Sequence, residues 1–226
     1  IQSLLYLEAK LRQTVPTDEA ISIGHRGAMD ALPFQLEPIR RVLKQLRPRF
    51  LIADSVGLAK TLEAGALVAE LMRRGRGRRI LVVTTKSMMK QFQKEFWTRF
   101  SIPLTRLDSA GIQRVRRHLP ANHNPFHYYD KTIISIDTLK RDTEYRHYLE
   151  NASWDIIVID EAHNVSEKGG SKRALRNKVA ALLARRSDAL ILLTATPHSG
   201  DKESFASLMR MLDPTVLPNK AEYTKQ

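Results

Sequence analysis

The 226-residue chain contains no cysteine. Disulfide frameworks, thiolate nucleophiles and cysteine-based zinc sites are thereby excluded together. Long apolar runs are also missing. Stretches such as Ile80–Val83 and Leu190–Leu193 are four residues long, far short of the about 20 that a membrane-spanning helix needs. No basic, apolar, small-residue leader opens the chain, so the expectation is a cytoplasmic protein with no membrane partner. Glycine and proline number ten each, and no low-complexity tract is present, which argues against a fibrous or disordered chain. The scarce charge is the negative one: 24 Asp and Glu stand against 37 Lys and Arg, a net charge of +13. Such a surplus favours anionic partners.

The surplus is concentrated. Between Leu71 and Leu119 lie thirteen Lys and Arg against only Glu95 and Asp108, which is +11 of the +13. A phosphate-tracking surface needs such density, because neutralising phosphates releases counterions and drives binding; a solvated basic face has the same composition. Phe92, Phe96, Trp97 and Phe100 recur inside it at helical spacing, as core residues do.

Five short aliphatic runs read as strands buried on both faces: Phe50–Ala53, Ile80–Val83, Thr132–Ile136, Ile156–Ile159 and Ala189–Leu193. Amphipathic stretches separate or follow them, at Thr61–Arg73, Ser87–Phe100, Asp142–Leu149, Ser171–Arg185 and Glu203–Leu212. Strand alternating with helix predicts an α/β fold: a mostly parallel sheet between two helical layers. Residues 1–30 read as an N-terminal helical extension, with Leu4, Leu5, Leu7 and Leu11 ahead of Pro16. The lobe itself spans 31–214, with a loop over Asn122–Asp130. Pro214 and Pro218 close it, residues 215–226 read as a linker, and an opening Ile with a polar close is the pattern of a piece of a longer polypeptide.

In open parallel sheets, ligands sit beyond the carboxyl ends of the strands. After the first run comes Asp54-Ser55-Val56-Gly57-Leu58-Ala59-Lys60-Thr61 and then a helix. A strand, a tight loop, Lys-Thr and a helix N-terminus make a phosphate cradle, with Lys60 reaching the terminal phosphates and the Thr61 hydroxyl on magnesium. Taken alone, the segment reads equally as a strand-to-helix turn with an exposed lysine. After Ile156–Ile159 come Asp160 and Glu161, one placed to hold hydrated magnesium and the other to deprotonate an attacking water. Leu192-Leu193 is followed by Thr194-Ala195-Thr196, whose hydroxyls suit a hydrogen-bonded relay or plain turn chemistry.

From about Leu32 to Pro214 the chain resembles the superfamily 2 helicase-like ATPases, and within them the Swi/Snf-type translocases. Asp54–Thr61 with Leu62-Glu63-Ala64-Gly65 is similar to that family's motif I, Asp160–His163 spells a DEAH box, and Thr194–Thr196 matches motif III. Pro33-Phe34-Gln35 is similar to the Q-motif, Leu81–Phe96 with Lys86-Ser87 to motif Ia, and Ile134–Lys140 to motif Ib. The tail Thr194–Pro214 looks most like the bacterial RapA-like branch.

The resemblance implies a RecA-like P-loop NTPase lobe, the first of two, that binds ATP and Mg2+ and hydrolyses ATP. It places adenine on Gln35, nucleotide and metal on Asp54 to Thr61 with Asp160 and Glu161, and catalysis on Lys60 and Glu161. DNA would meet Lys86, Ser87, Thr138 and Lys140, while His163, Thr194 and Thr196 couple the two sites. Implied partners are double-stranded DNA, a second RecA-like lobe and other subunits, with a nucleoid location in a bacterium.

Two departures stand out. Ala59 replaces the family's glycine, where a methyl group presses on phosphates or, in a left-handed backbone, costs about 1–2 kcal/mol. Ser55 stands where the family commonly has an acid. The alternatives are a DEAH-type RNA helicase lobe and a hydrolysis-impaired nucleic-acid-binding module, and the lobe alone is expected to bind nucleotide better than it turns it over. His118, His123 and His127 are close in sequence, but Pro125 breaks any helix aligning the last two, and no further ligands complete a metal site.

Overall fold

The computed structural model describes residues 2–16, 21, 33–53, 57–139, 143–166, 171–196 and 202–215. All five expected strands form: β1 (Arg49–Ala53), β2 (Ile80–Thr84), β4 (Lys131–Ser135), β5 (Trp154–Ile159) and β6 (Ser187–Thr194). A two-residue strand, β3 (Thr105–Arg106), joins them. They make one sheet in the order β1-β6-β5-β2-β4-β3, with every pair parallel.

Nine α-helices occur among the described residues: α1 (Gln2–Gln13), α2 (Pro33–Leu43), α3 (Gly57–Arg73), α4 (Met89–Phe100), α5 (Ser109–His118), α6 (Ile136–Leu139), α7 (Thr143–Glu150), α8 (Ser171–Arg185) and α9 (Lys202–Leu212). Alternate strand residues point to opposite faces, and the core divides accordingly. Ile80, Val82, Ile156, Val158, Ile191 and Leu193 pack with α2, α3 and α4. Leu81, Val83, Ile157, Ile159, Leu190 and Leu192 pack with α5, α7, α8 and α9. Burial on both faces explains the unbroken apolar runs. From β1 to β2 to β3 the chain steps one way across the sheet, through α3 and α4. It returns through β4, β5 and β6 by way of α5, α6, α7 and α8, as right-handed crossovers require.

Some expectations change. The run Thr132–Ile136 does not stay extended to its end, because Ile136 opens α6 and the Ser135 hydroxyl accepts from the Asp137 N–H at 3.2 Å. The helix after the phosphate-loop segment starts at Gly57, four residues before Thr61, so Ala59 lies in a right-handed helical turn. The left-handed penalty considered for Ala59 does not apply. The loop around Pro125 holds a 3-10 turn, Pro125–His127, capped by the Asn124 side-chain oxygen Oδ1, which accepts from Phe126 N–H at 3.0 Å. Among the described residues, no three His, Asp or Glu side chains are placed to hold a metal ion, and no helix is long and apolar enough to cross a membrane.

The basic segment is divided rather than gathered on one surface. Arg74 pairs with buried Glu70 at 3.0 Å, and Arg76 donates to the carbonyl of Leu46 at 2.6 Å. Arg79 donates to the carbonyl of Phe126 at 2.9 Å and lies over the Trp154 ring. These arginines stitch loops at the amino end of the sheet. Lys86 and Ser87 lie beyond the opposite, carboxyl end of β2 and are exposed.

Candidate nucleotide and nucleic-acid site

Parallel register sets the site. Ala53 pairs with Thr194, Ile159 with Leu192 and Val83, and Thr84 with Ser135. The carboxyl ends of β1, β6, β5, β2 and β4 are therefore level, and whatever follows them shares one edge. α3 starts at this edge, which places Lys60 and Thr61 in its first turns beside the end of β1. Both are only 3% exposed. A buried ammonium group is stabilised by neighbouring anions, and the charge of Lys60 acts on Asp160 across the edge.

Asp160 follows β5 directly. Its backbone N–H donates to Val83 O at 2.8 Å, and its carboxylate accepts from the Thr84 hydroxyl at 2.7 Å. The two bonds fix the carboxyl group against β2. Burial pushes its pKa above the ordinary 3.8, opposed by the Thr84 bond; the neighbouring Glu161 charge adds to the rise and Lys60 works against it. Thr84 is a site residue missed in the sequence, where it reads as the last residue of a β-branched run.

Glu161 holds φ 49° and ψ 48°. A left-handed backbone at a non-glycine costs about 1–2 kcal/mol, and such strain gathers at working sites. The turn brings the Glu161 carboxylate to 3.2 Å from His163 Nδ1, which is also 3.2 Å from the Thr194 hydroxyl. That hydroxyl in turn accepts from the Thr196 N–H at 3.2 Å. Carboxylates only accept, so Nδ1 bonds Glu161 when it carries a proton and accepts from Thr194 when it does not. One ring nitrogen thus links β5 to β6.

Lys86 and Ser87 beyond β2 and Thr138 on α6 beyond β4 follow neighbouring strands, so these two segments are adjacent on the same edge. Thr138 is half-buried and the Ser87 hydroxyl lies 3.1 Å from that of Thr85. Gln35 falls on α2, and Gly57, Leu58 and Ala59 on the first turn of α3. Asp54, Ser55, Val56 and Lys140 lie outside the described residues.

The donor set suits a hard divalent cation. A buried hydroxyl, Thr61, and a half-buried carboxylate, Asp160, are the kind of oxygen ligands magnesium takes, with water and phosphate completing its shell.

The family profile described as the SNF2-related domain matches residues 40–226. The chain is 34% identical over 206 residues to the RNA polymerase-associated protein RapA of Proteus mirabilis (strain HI4320), covering 90% of this chain and 21% of that protein. The RapA of Yersinia enterocolitica (strain NCTC 13174 / 8081) matches over the same shares at the same identity. The chain thus spans about a fifth of the length of these relatives. Among solved structures, the Sulfolobus solfataricus SWI2/SNF2 ATPase core in complex with dsDNA superposes with a TM-score of 0.70 at 23% identity, over 91% of this chain and 40% of that one. The same organism's SWI2/SNF2 ATPase core domain gives 0.69 at 21% identity, over 95% and 42%. Their likeness is one of fold.

Proposed function

The chain belongs to the SNF2-related family, and from that premise we propose that it is the amino-terminal ATP-binding lobe of a Swi/Snf-type translocase acting on double-stranded DNA. The observation that carries the reading is the meeting of buried Lys60 and Thr61, the Thr84-held Asp160 and the Glu161–His163–Thr194 chain on one level strand edge. Adjacent on that edge lie Lys86, Ser87 and Thr138, the contacts proposed for the DNA backbone together with Lys140. The lobe occupies 31–214, after a helical extension and before a linker at 215–226.

In this reading Lys60 neutralises the terminal phosphates and Gln35 reads adenine. The Asp54–Ala59 backbone cradles the phosphates, while Thr61 and Asp160 hold Mg2+, which supplies charge neutralisation when bound. Glu161, half-exposed, orients a water and takes its proton at a carboxylate oxygen. His163 then exchanges its bond between Glu161 and Thr194, which passes the state of the nucleotide edge to β6 and Thr196. Positioning and charge dominate phosphoryl transfer. An arginine from a second lobe completes the site in this scheme, and its absence from the lobe alone costs about 10³–10⁵ in rate.

Ala59 supports a narrower second reading, a module that binds nucleic acid with impaired hydrolysis. Turnover by the full-length protein, measured with duplex DNA and with single-stranded RNA, decides among these. The translocase predicts stimulation by duplex DNA above RNA. Stimulation by RNA alone identifies an RNA helicase, and no turnover with either identifies the binding module.

A further inference from the structure

Two successive residues of α8, Arg176 and Asn177, reach in different directions. The Arg176 guanidinium donates to the Asp137 carboxylate on α6, at 2.7 Å from Nη2 and 3.2 Å from Nε. The Asn177 side-chain amide donates to the Val165 carbonyl at 2.9 Å and to the Ser207 hydroxyl of α9 at 3.1 Å. Val165 closes the 3-10 turn Ala162–Val165, which Glu161 caps and which contains His163. A single turn of α8 thus holds both the turn beside Glu161 and the short helix that carries Thr138.

Both attachments are built into the packing. Ser166 is fully buried; its hydroxyl donates to the His163 carbonyl at 2.8 Å and accepts from the Ser204 hydroxyl of α9. Ser204 and Ser207 are buried as well. Hydrogen bonds strengthen away from water, and buried hydroxyls bonded in series rigidify what they join. Glu161 needs such support, because its left-handed backbone persists only where the surroundings over-determine it. On the other side, the Asp137 N–H is held by the Ser135 hydroxyl, and α6 buries Ile136 and Leu139. The half-buried Arg176–Asp137 pair adds charge-assisted bonds, roughly twice as strong as neutral ones.

We propose that Arg176 and Asn177 are positioning residues through which duplex DNA at α6 sets the turn that carries Glu161, so that stimulation of turnover by DNA passes through α8. The inference rests on the reading of the chain as the ATP-binding lobe of a DNA translocase. Hydrogen-bonded side chains and rigid helices carry coupling between sites. A shift of α6 under a DNA backbone moves Asp137, hence Arg176, and the neighbouring Asn177 carries the shift to Val165. The path is distinct from the bond between His163 and Thr194, which runs to β6.

The test uses the full-length protein, with turnover measured without DNA and at saturating duplex DNA, and with nucleotide and DNA affinities measured separately by fluorescence anisotropy. Arg176→Ala and Asn177→Ala are each expected to keep turnover without DNA within twofold of wild type and to lower the DNA-stimulated rate at least fivefold, with both affinities within threefold. Exchanging the charges, Arg176→Asp with Asp137→Arg, is expected to recover most of the stimulation that Arg176→Asp alone loses. Equal losses with and without DNA show a merely structural role and overturn the proposal, as does a loss of stimulation matched by a loss of DNA affinity. A stimulated wild type whose variants match it overturns the proposal alone; a wild type that duplex DNA does not stimulate overturns the functional reading and the proposal with it.

Discussion

Asp160 concentrates the conflict between stability and function in one side chain. Its carboxyl group is half-buried and bonded to Thr84, yet its pKa stands above the ordinary 3.8. The folded state therefore binds more protons than the unfolded state between 3.8 and the raised value. Stability falls as pH rises through that window, and the full cost is present above it. Asp160→Asn keeps an oxygen for the Thr84 hydroxyl and removes the charge. Thermal melts of the variant at pH 7.5 are expected to lie above wild type, by about 2–4 °C for each kcal/mol relieved, with the gap narrowing as pH is lowered toward 3.8. A lower midpoint at pH 7.5 would contradict the account. Glu161 carries the complementary strain, a left-handed turn that serves to bring its carboxylate to His163.

Among elements, the α3–α4 contact turns on one small residue in the middle of α3. Gly65 lies mid-helix, where glycine costs about 0.5–1 kcal/mol against alanine, and its role is close approach. A Cβ there would sit 2.6 Å from Phe100 Cδ2 and closer still to Cε2. Gly65→Val overfills the contact, which costs about 1–3 kcal/mol. A melting midpoint several degrees lower is expected, recovered in part by adding Phe100→Ala; an unchanged midpoint would show that α4 yields freely.

The legibility of the elements followed burial. Strands covered on both faces left unbroken apolar runs and could be read directly, as could Asp160 and Glu161 at the end of one. The helix α2 was hidden by Pro38 within it and by exposed Glu37, Arg40 and Arg41 between its buried Leu36, Ile39 and Val42. Similarly, α5 buries only Ile112 and Val115 among charged neighbours, although Asp108 caps it by accepting from Gly111 N–H at 2.9 Å. The two-residue β3 is too short to show a period. Thr84 was unreadable because a threonine closing a β-branched run carries no sign of which carboxylate it will meet. Arg176 and Asp137 stand 39 positions apart in the chain, so only the fold unites them.

For the whole molecule, a charge of +13 proves to be several local arrangements rather than one basic face. Arginines at the amino end of the sheet hold loops together, Arg49 ties α8 and α9 to β1, and Lys86 stands at the carboxyl edge. The fold separates these positions because every strand runs the same way, so one end of the sheet gathers the residues proposed for the nucleotide and the other the arginines that brace it. The central claim is that this carboxyl edge binds ATP through Lys60. The most direct measurement is a magnesium-dependent titration of the chain with a fluorescent ATP analogue, beside Lys60→Ala and Ala59→Gly. The account predicts saturable binding by wild type, tighter binding by Ala59→Gly and a loss of at least tenfold in Lys60→Ala; equal affinity of wild type and Lys60→Ala would contradict it.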